Sequence, residues 1–209
     1  MTHSRSVLIV IDVQNSFMPG GELAVPAGHE VVAIINQIAS RFDNVVLTQD
    51  WHPVGHASFA SAHPGRAPYE QITMPYGAQV LWPDHCVQGS VGAALHADLS
   101  VAHAQLIIRK GFHAGVDSYS AFMEADRTTT TGLQAYLNAR GIDTVYLAGL
   151  ATDFCVAWSA LDARAAGFET ILIEDATRAI DLDGSLANAM THMRQAGVVI
   201  TSSDRVVRQ

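Results

Sequence analysis

Charge is scarce in this sequence. Only 15% of the 209 residues are Asp, Glu, Lys or Arg, against about 25% in an ordinary soluble domain, while 49% are hydrophobic. Such a composition excludes intrinsic disorder and implies a sizeable buried core. Positive charge is scarcer still: 12 basic against 20 acidic residues give a formal charge of −8. No basic cluster interrupts that balance, so neither nucleic acid nor an anionic membrane is expected as a partner. Long apolar runs are missing as well. The first, Val7 to Ile11, is cut by Asp12, too short for a signal-peptide core or a membrane span, so a cytoplasmic location is the expectation. Cysteine is limited to Cys86 and Cys155. In a reducing compartment these read as core residues, ligands or nucleophiles before they read as a disulfide. Lysine occurs once, at position 110, among eleven arginines. Arginine keeps its proton in a protein, whereas lysine is a compact ammonium of tunable pKa, so the single lysine is a candidate for chemistry.

What is present is an alternation. Val7–Ile11, Val45–Thr48, Leu106–Ile108, Thr144–Ala148, Thr170–Ile173 and Val198–Thr201 are apolar runs of strand length, the pattern of strands covered on both faces. Between them apolar residues recur at helical spacing: Val31, Ile34, Ile35, Ile38 and Phe42; Leu133, Tyr136 and Leu137; Val156, Leu161 and Ala165; Leu186, Met190 and Met193. Gly141, Gly167 and Gly197 follow the last three sets, where a helix ends on glycine. The expectation is an α/β fold: one domain over residues 1–209, with a doubly wound, mostly parallel six-stranded sheet and helices on both faces. One long connection, residues 50–104, breaks the rhythm with five prolines. Its aromatics argue for order, and it reads as an active-site loop carrying a metal site.

Ligands of open α/β sheets bind beyond the carboxyl ends of the strands. Polar residues concentrate there: Asp12 after the first run, Asp50 and His52 after the second, Lys110 after the third and Cys155 shortly after the fourth. Thr152 can serve as an N-cap, placing Cys155 in a first helical turn where amide N–H groups favour a thiolate and can bind an oxyanion. Alone, Cys155 could be a core residue, Asp12 a loop acid and Lys110 a surface charge. Together they supply a nucleophile, a base and a charge partner. Asp50, His52 and His85 offer two imidazoles and a carboxylate to a metal, with His56 as a candidate fourth ligand or supporting group. His3, His29 and His63 read as surface or loop residues.

These residues sit in motifs: Val10-Ile11-Asp12-Val13-Gln14-Asn15-Ser16-Phe17, Thr48-Gln49-Asp50-Trp51-His52-Pro53, Leu81-Trp82-Pro83-Asp84-His85-Cys86-Val87-Gln88-Gly89, Arg109-Lys110-Gly111, Asp117-Ser118-Tyr119-Ser120-Ala121-Phe122 and Gly149-Leu150-Ala151-Thr152-Asp153-Phe154-Cys155-Val156. Through them the chain resembles the nicotinamidases, also called pyrazinamidases, of the isochorismatase-like cysteine hydrolases. The resemblance implies hydrolysis of nicotinamide to nicotinate and ammonia, and of pyrazinamide, in NAD salvage. It makes Cys155 the nucleophile, Asp12 the proton carrier and Lys110 their charge partner, with a thioester intermediate. It places the oxyanion on the N–H groups of Ala151 and Cys155, and implies a cis Leu150–Ala151 peptide. By the same resemblance Asp50, His52 and His85 bind one divalent metal, zinc, iron or manganese, with open positions for water or the pyridine nitrogen. Phe17, Trp82 and Tyr119 would then wall the substrate ring.

Other readings stay open on sequence alone. Within the superfamily the substrate could be another small amide, a carbamoyl compound or, least well, isochorismate. Two histidines and one carboxylate also describe the facial triad of a non-haem iron oxygenase, which would leave Cys155 and Lys110 as bystanders. A non-enzymatic binder would show no turnover. Oligomeric state is not encoded visibly, and a homo-oligomer is compatible with the sequence.

Overall fold

Strands β1 (Ser6–Ile11), β2 (Val45–Asp50), β5 (Leu106–Lys110), β6 (Thr144–Leu150), β7 (Glu169–Arg178) and β8 (Val199–Thr201) form one sheet in the order β5-β2-β1-β6-β7-β8. Every neighbouring pair in it is parallel. The coordinates are a computed structural model describing residues 5–208; His3 lies outside the described residues. Side chains alternate across β1, so Leu8 and Val10 point to one core and Val7, Ile9 and Ile11 to the other. Helix α1 (Glu30–Ala39) buries Val31, Val32, Ile35 and Ile38 in the first core, which it shares with Val206 of α5 (Ser203–Val207). Helices α2 (Leu133–Ala139), α3 (Ala157–Ala165) and α4 (Ser185–Gln195) cover the second. Two cores on opposite faces are what strands apolar on both sides require.

The expected glycines end α2, α3 and α4. Gly141, Gly167 and Gly197 have φ of 67°, 93° and 82°, and the amide after each returns to the last helical turn: Ile142 N to Leu137 O, Phe168 N to Ala163 O, Val198 N to Met193 O. This is the Schellman pattern, which favours glycine because the left-handed backbone crowds a Cβ.

Three expectations need correction. The two outer strands are not covered on both faces: Ile107 in β5 is 48% and Val199 in β8 is 50% exposed, because an edge strand has fewer helices over it. The long connection contains a strand pair that the sequence pattern did not reveal, the antiparallel hairpin of β3 (Gln71–Met74) and β4 (Gly77–Val80). Gln71–Met74 alternates exposed polar with half-buried apolar residues, but the run is four residues long, ends against Pro75 and pairs with the non-alternating Gly77–Val80, too short a signal to stand out. Thr152 is not an N-cap. Ala151 stands at that position, and Thr152–Val156 form a π-helical turn ahead of α3.

Cys86 and Cys155 are both buried and unpaired. Among the described residues no helix is long and apolar enough to cross a membrane.

Candidate active site

Register explains the first contact of the site. Asp50 ends β2, Lys110 ends β5, and the two are direct partners across the parallel pair, so their side chains leave the sheet on the same face. Asp12 follows β1 with φ 47°, a left-handed conformation that Asp tolerates better than most residues. Its amide donates to Thr48 Oγ1 at 3.1 Å, and the Thr48 hydroxyl donates back to Asp12 Oδ1 at 2.5 Å. Gln14, wholly buried, grips the Asp50 backbone: its Nε2 donates to Asp50 O at 2.8 Å and its Oε1 accepts Asp50 N at 2.8 Å.

Lys110 is the common partner. Its fully buried Nζ donates to an oxygen of Asp50, lies 2.8 Å from Asp12 Oδ2, donates to Ser118 O at 3.0 Å and reaches Cys155 Sγ at 3.2 Å. Burial alone would lower its pKa, but the carboxylates of Asp12 and Asp50 override that and hold the ammonium well above the usual lysine range. Burial raises Asp12 above the ordinary carboxyl range, with Lys110 opposing. Oxygens of Asp12 and Asp50 and the Cys155 sulfur lie within 4.8 Å of one another.

Two influences oppose each other at the Cys155 sulfur. Burial pushes its thiol well above the usual range, against the pull of Lys110. The segment bearing it begins at a cis Leu150–Ala151 peptide. Phe154 N and Val156 N both donate to Ala151 O at 3.1 Å, the second being the i+5 bond that makes the turn π-helical. The backbone thereby caps itself without Thr152.

A donor set converges beside this cluster. His52 Nε2 and His85 Nε2 lie 3.8 and 3.6 Å from Asp50 Oδ2. The other nitrogen of each ring meets a carbonyl: His52 Nδ1 at 2.8 Å from Gly111 O, His85 Nδ1 at 2.8 Å from Pro83 O. Such bonds fix the tautomer and aim the Nε2 lone pairs inward, as metal-ligating histidines require. Charge supports the same reading. Asp12, Asp50 and Asp117 are at most 4% exposed, and with Lys110 as the one buried cation among them their formal charges sum to −2, which a divalent ion neutralises.

His56 groups with His52 and Asp117 rather than with Asp50 and His85. Its Nδ1 takes Ser58 (Oγ at 2.7 Å, N at 3.2 Å), and its Nε2 faces His113 O and Val116 O at 3.1 and 3.2 Å. With both nitrogens committed, it backs the His52 ring at a centroid distance of 4.3 Å.

One pocket collects these groups. Phe17, Trp82 and Tyr119 line it with Asp50, His52, His85, Ala151 and Cys155, so every expected wall residue and metal candidate except His56 faces one cavity. Leu23, Asp117 and Ile180 also line it and had no assigned role, although Asp117 opens a quoted motif. Gln79, the one buried residue of the hairpin, ties the wall together: Nε2 donates to Asp117 Oδ2 at 2.8 Å and reaches Tyr119 Oη at 3.2 Å, which also accepts Trp82 Nε1–H at 2.9 Å. Larger hollows exist, such as the 410 Å³ groove between α3 and α4 lined by Trp158, Leu161 and His192, but they hold no comparable cluster.

Comparison with known proteins agrees with this geometry. The family model for the isochorismatase domain matches residues 6–205. The chain belongs to the isochorismatase family. Within it, a nicotinamidase of Acinetobacter baylyi is 58% identical over 98% of this chain and 95% of its own length. A solved nicotinamidase/pyrazinamidase of Acinetobacter baumanii superposes with a TM-score of 0.96 at 60% identity, over 97% of this chain and 98% of that one. The pyrazinamidase of Pyrococcus horikoshii, solved in complex with zinc, matches at 34% identity and TM-score 0.77, over 95% and 99% of the chains.

Gly111 yields a test of the donor set. It has φ 66°, and a Cβ there would lie 2.4 Å from His52 Cε1. Gly111→Ala should displace the His52 ring and weaken divalent-metal binding at least ~10-fold, the scale for losing an orienting partner, in a competition titration followed by elemental analysis. Parent-like binding would remove His52 from the ligand set.

Proposed function

We propose that this chain is a nicotinamidase that hydrolyses nicotinamide to nicotinate and ammonia, and pyrazinamide likewise, through a thioester on Cys155. The observation that carries the reading is the Lys110 ammonium touching Asp12, Asp50 and Cys155 at one pocket. A facial-triad oxygenase would leave that thiol and ammonium without a role.

The sequence of steps follows from who can move a proton. Asp12, clustered with the Cys155 sulfur and paired through Oδ2 with Lys110, takes the thiol proton as Cys155 Sγ attacks the carboxamide carbon. Lys110 steadies the negative charge on sulfur, and the N–H groups of Ala151 and Cys155 hold the oxyanion. The C–N bond breaks, Asp12 gives its proton to the leaving nitrogen, and ammonia departs. Water then gives a proton to Asp12 and attacks the thioester; the C–S bond breaks and the proton returns to sulfur, releasing nicotinate.

Asp50, His52 and His85 would hold a divalent ion, whose open positions can take water or the pyridine nitrogen. Phe17, Trp82 and Tyr119 confine the ring plane, so the carboxamide points to Cys155. The chain's own thiol supplies the nucleophile, which leaves the ion a role in orientation.

Cys155→Ala should abolish ammonia release from nicotinamide, and Asp12→Asn and Lys110→Arg should each cost at least ~10²-fold, the scale of a positioned proton-transfer group. Ammonia release by Cys155→Ala within about tenfold of parent would contradict covalent catalysis. Benzamide keeps the ring and amide but lacks the ring nitrogen. The nicotinamide-to-benzamide ratio of kcat/KM should be large in the metal-loaded protein and collapse after chelation, and an unchanged ratio would show that the ion does not read that nitrogen.

A further inference from the structure

Helix α3 carries a hydroxyl that none of these roles uses. Ser159 is fully buried, and a hydroxyl removed from water needs partners. It has two. Its Oγ–H donates to the carbonyl of Cys155 one turn back, at 2.6 Å, and its oxygen accepts the Ala121 amide at 2.9 Å. One atom thus joins the backbone of the nucleophile to the backbone of the segment that carries Tyr119.

The other end of that segment is held as well. The Ser118 carbonyl accepts from Lys110 Nζ at 3.0 Å, and Lys110 Nζ reaches Cys155 Sγ at 3.2 Å. The contacts close a ring that runs from the ammonium through residues 118–121 to Ser159, on to Cys155 and back to the ammonium. Hydroxyls stiffen the segment from within: Ser118 Oγ donates to Ser120 O at 3.2 Å, and Ser120 Oγ accepts Phe122 N at 3.1 Å. A second tie lies one turn further along α3, where Arg127 forks onto Asp162 at 3.1 and 2.6 Å.

We propose that Ser159 is a positioning residue, which sets the Cys155 turn against both the Lys110 ammonium and the Tyr119 wall. It acts through the backbone of Cys155 and Ala121. The role rests on the reading of Cys155 as the nucleophile. Without the hydroxyl the Ala121 amide is left buried and unpaired, and the 118–121 segment is free to move relative to the nucleophile turn. Displacements of ~1 Å at a reacting pair can cost about 10²-fold in rate.

The test compares Ser159→Ala with Ser159→Thr, which keeps the hydroxyl, in the metal-loaded full chain. The readouts are kcat and KM for nicotinamide, the rate of Cys155 alkylation by iodoacetamide resolved by peptide mass spectrometry, and the folded fraction by circular dichroism. For Ser159→Ala, kcat should fall at least ~10-fold with KM changed less than about threefold, Cys155 alkylation should slow alongside it, and Ser159→Thr should keep most of both rates. A kcat and an alkylation rate within about twofold of parent for Ser159→Ala would overturn the proposal, as would equal losses in both variants that track the folded fraction. Should the parent release no ammonia from nicotinamide, the substrate reading fails while the alkylation rates still decide the role of Ser159.

Discussion

A buried ammonium facing two carboxylates is the constraint on which the rest of this site depends. Lys110 is wholly inside the protein, where an unpaired charge would cost several kcal/mol. It persists as a cation because Asp12 and Asp50 flank it. Those carboxylates must therefore sit where the ends of β1 and β2 put them, beside the end of β5. That requirement selects the Asp50–Lys110 register, the left-handed backbone at Asp12 and the Gln14 grip on Asp50.

The same contact joins two halves of the chemistry. Asp50 offers one oxygen to Lys110 and the other to the space between His52 and His85, so the histidine pair and the Lys110–Cys155 cluster share a residue and cannot shift independently. Electrostatics divide the labour. Burial pushes the Cys155 thiol upward against the pull of Lys110, and Asp12, raised by its own burial, is the neighbouring carboxylate that shares the same ammonium. A thiol that must lose a proton to attack needs a base within reach, and the 4.8 Å cluster of Asp12, Asp50 and Cys155 provides one.

Much of this was readable before any coordinates. Apolar runs of strand length marked all six strands of the main sheet, and the residues just beyond four of them form the site. What escaped the sequence did so for physical reasons. The β3–β4 hairpin has strands of only four residues, the second without alternation, too short to announce a strand, yet its Gln79 braces the pocket wall. A Thr ahead of a helical pattern predicts a cap, but the self-capping π turn depends on backbone spacing, which no side chain advertises. His56 has suitable spacing for a ligand, but that spacing could not show that it gathers with His52 and Asp117 and that its ring nitrogens meet Ser58 and two carbonyls. Asp117 and Ser159 act through partners 38 residues away, a distance over which local pattern carries no information.

Because the chain has a single lysine, its buried cation can be observed without assignment. Protein labelled with ¹⁵N only in lysine should give one side-chain signal, and the contacts around Lys110 predict an ammonium resonance at neutral pH whose protons exchange slowly with water. A neutral-amine shift, or exchange as fast as that of free lysine, would contradict the central role given to that charge.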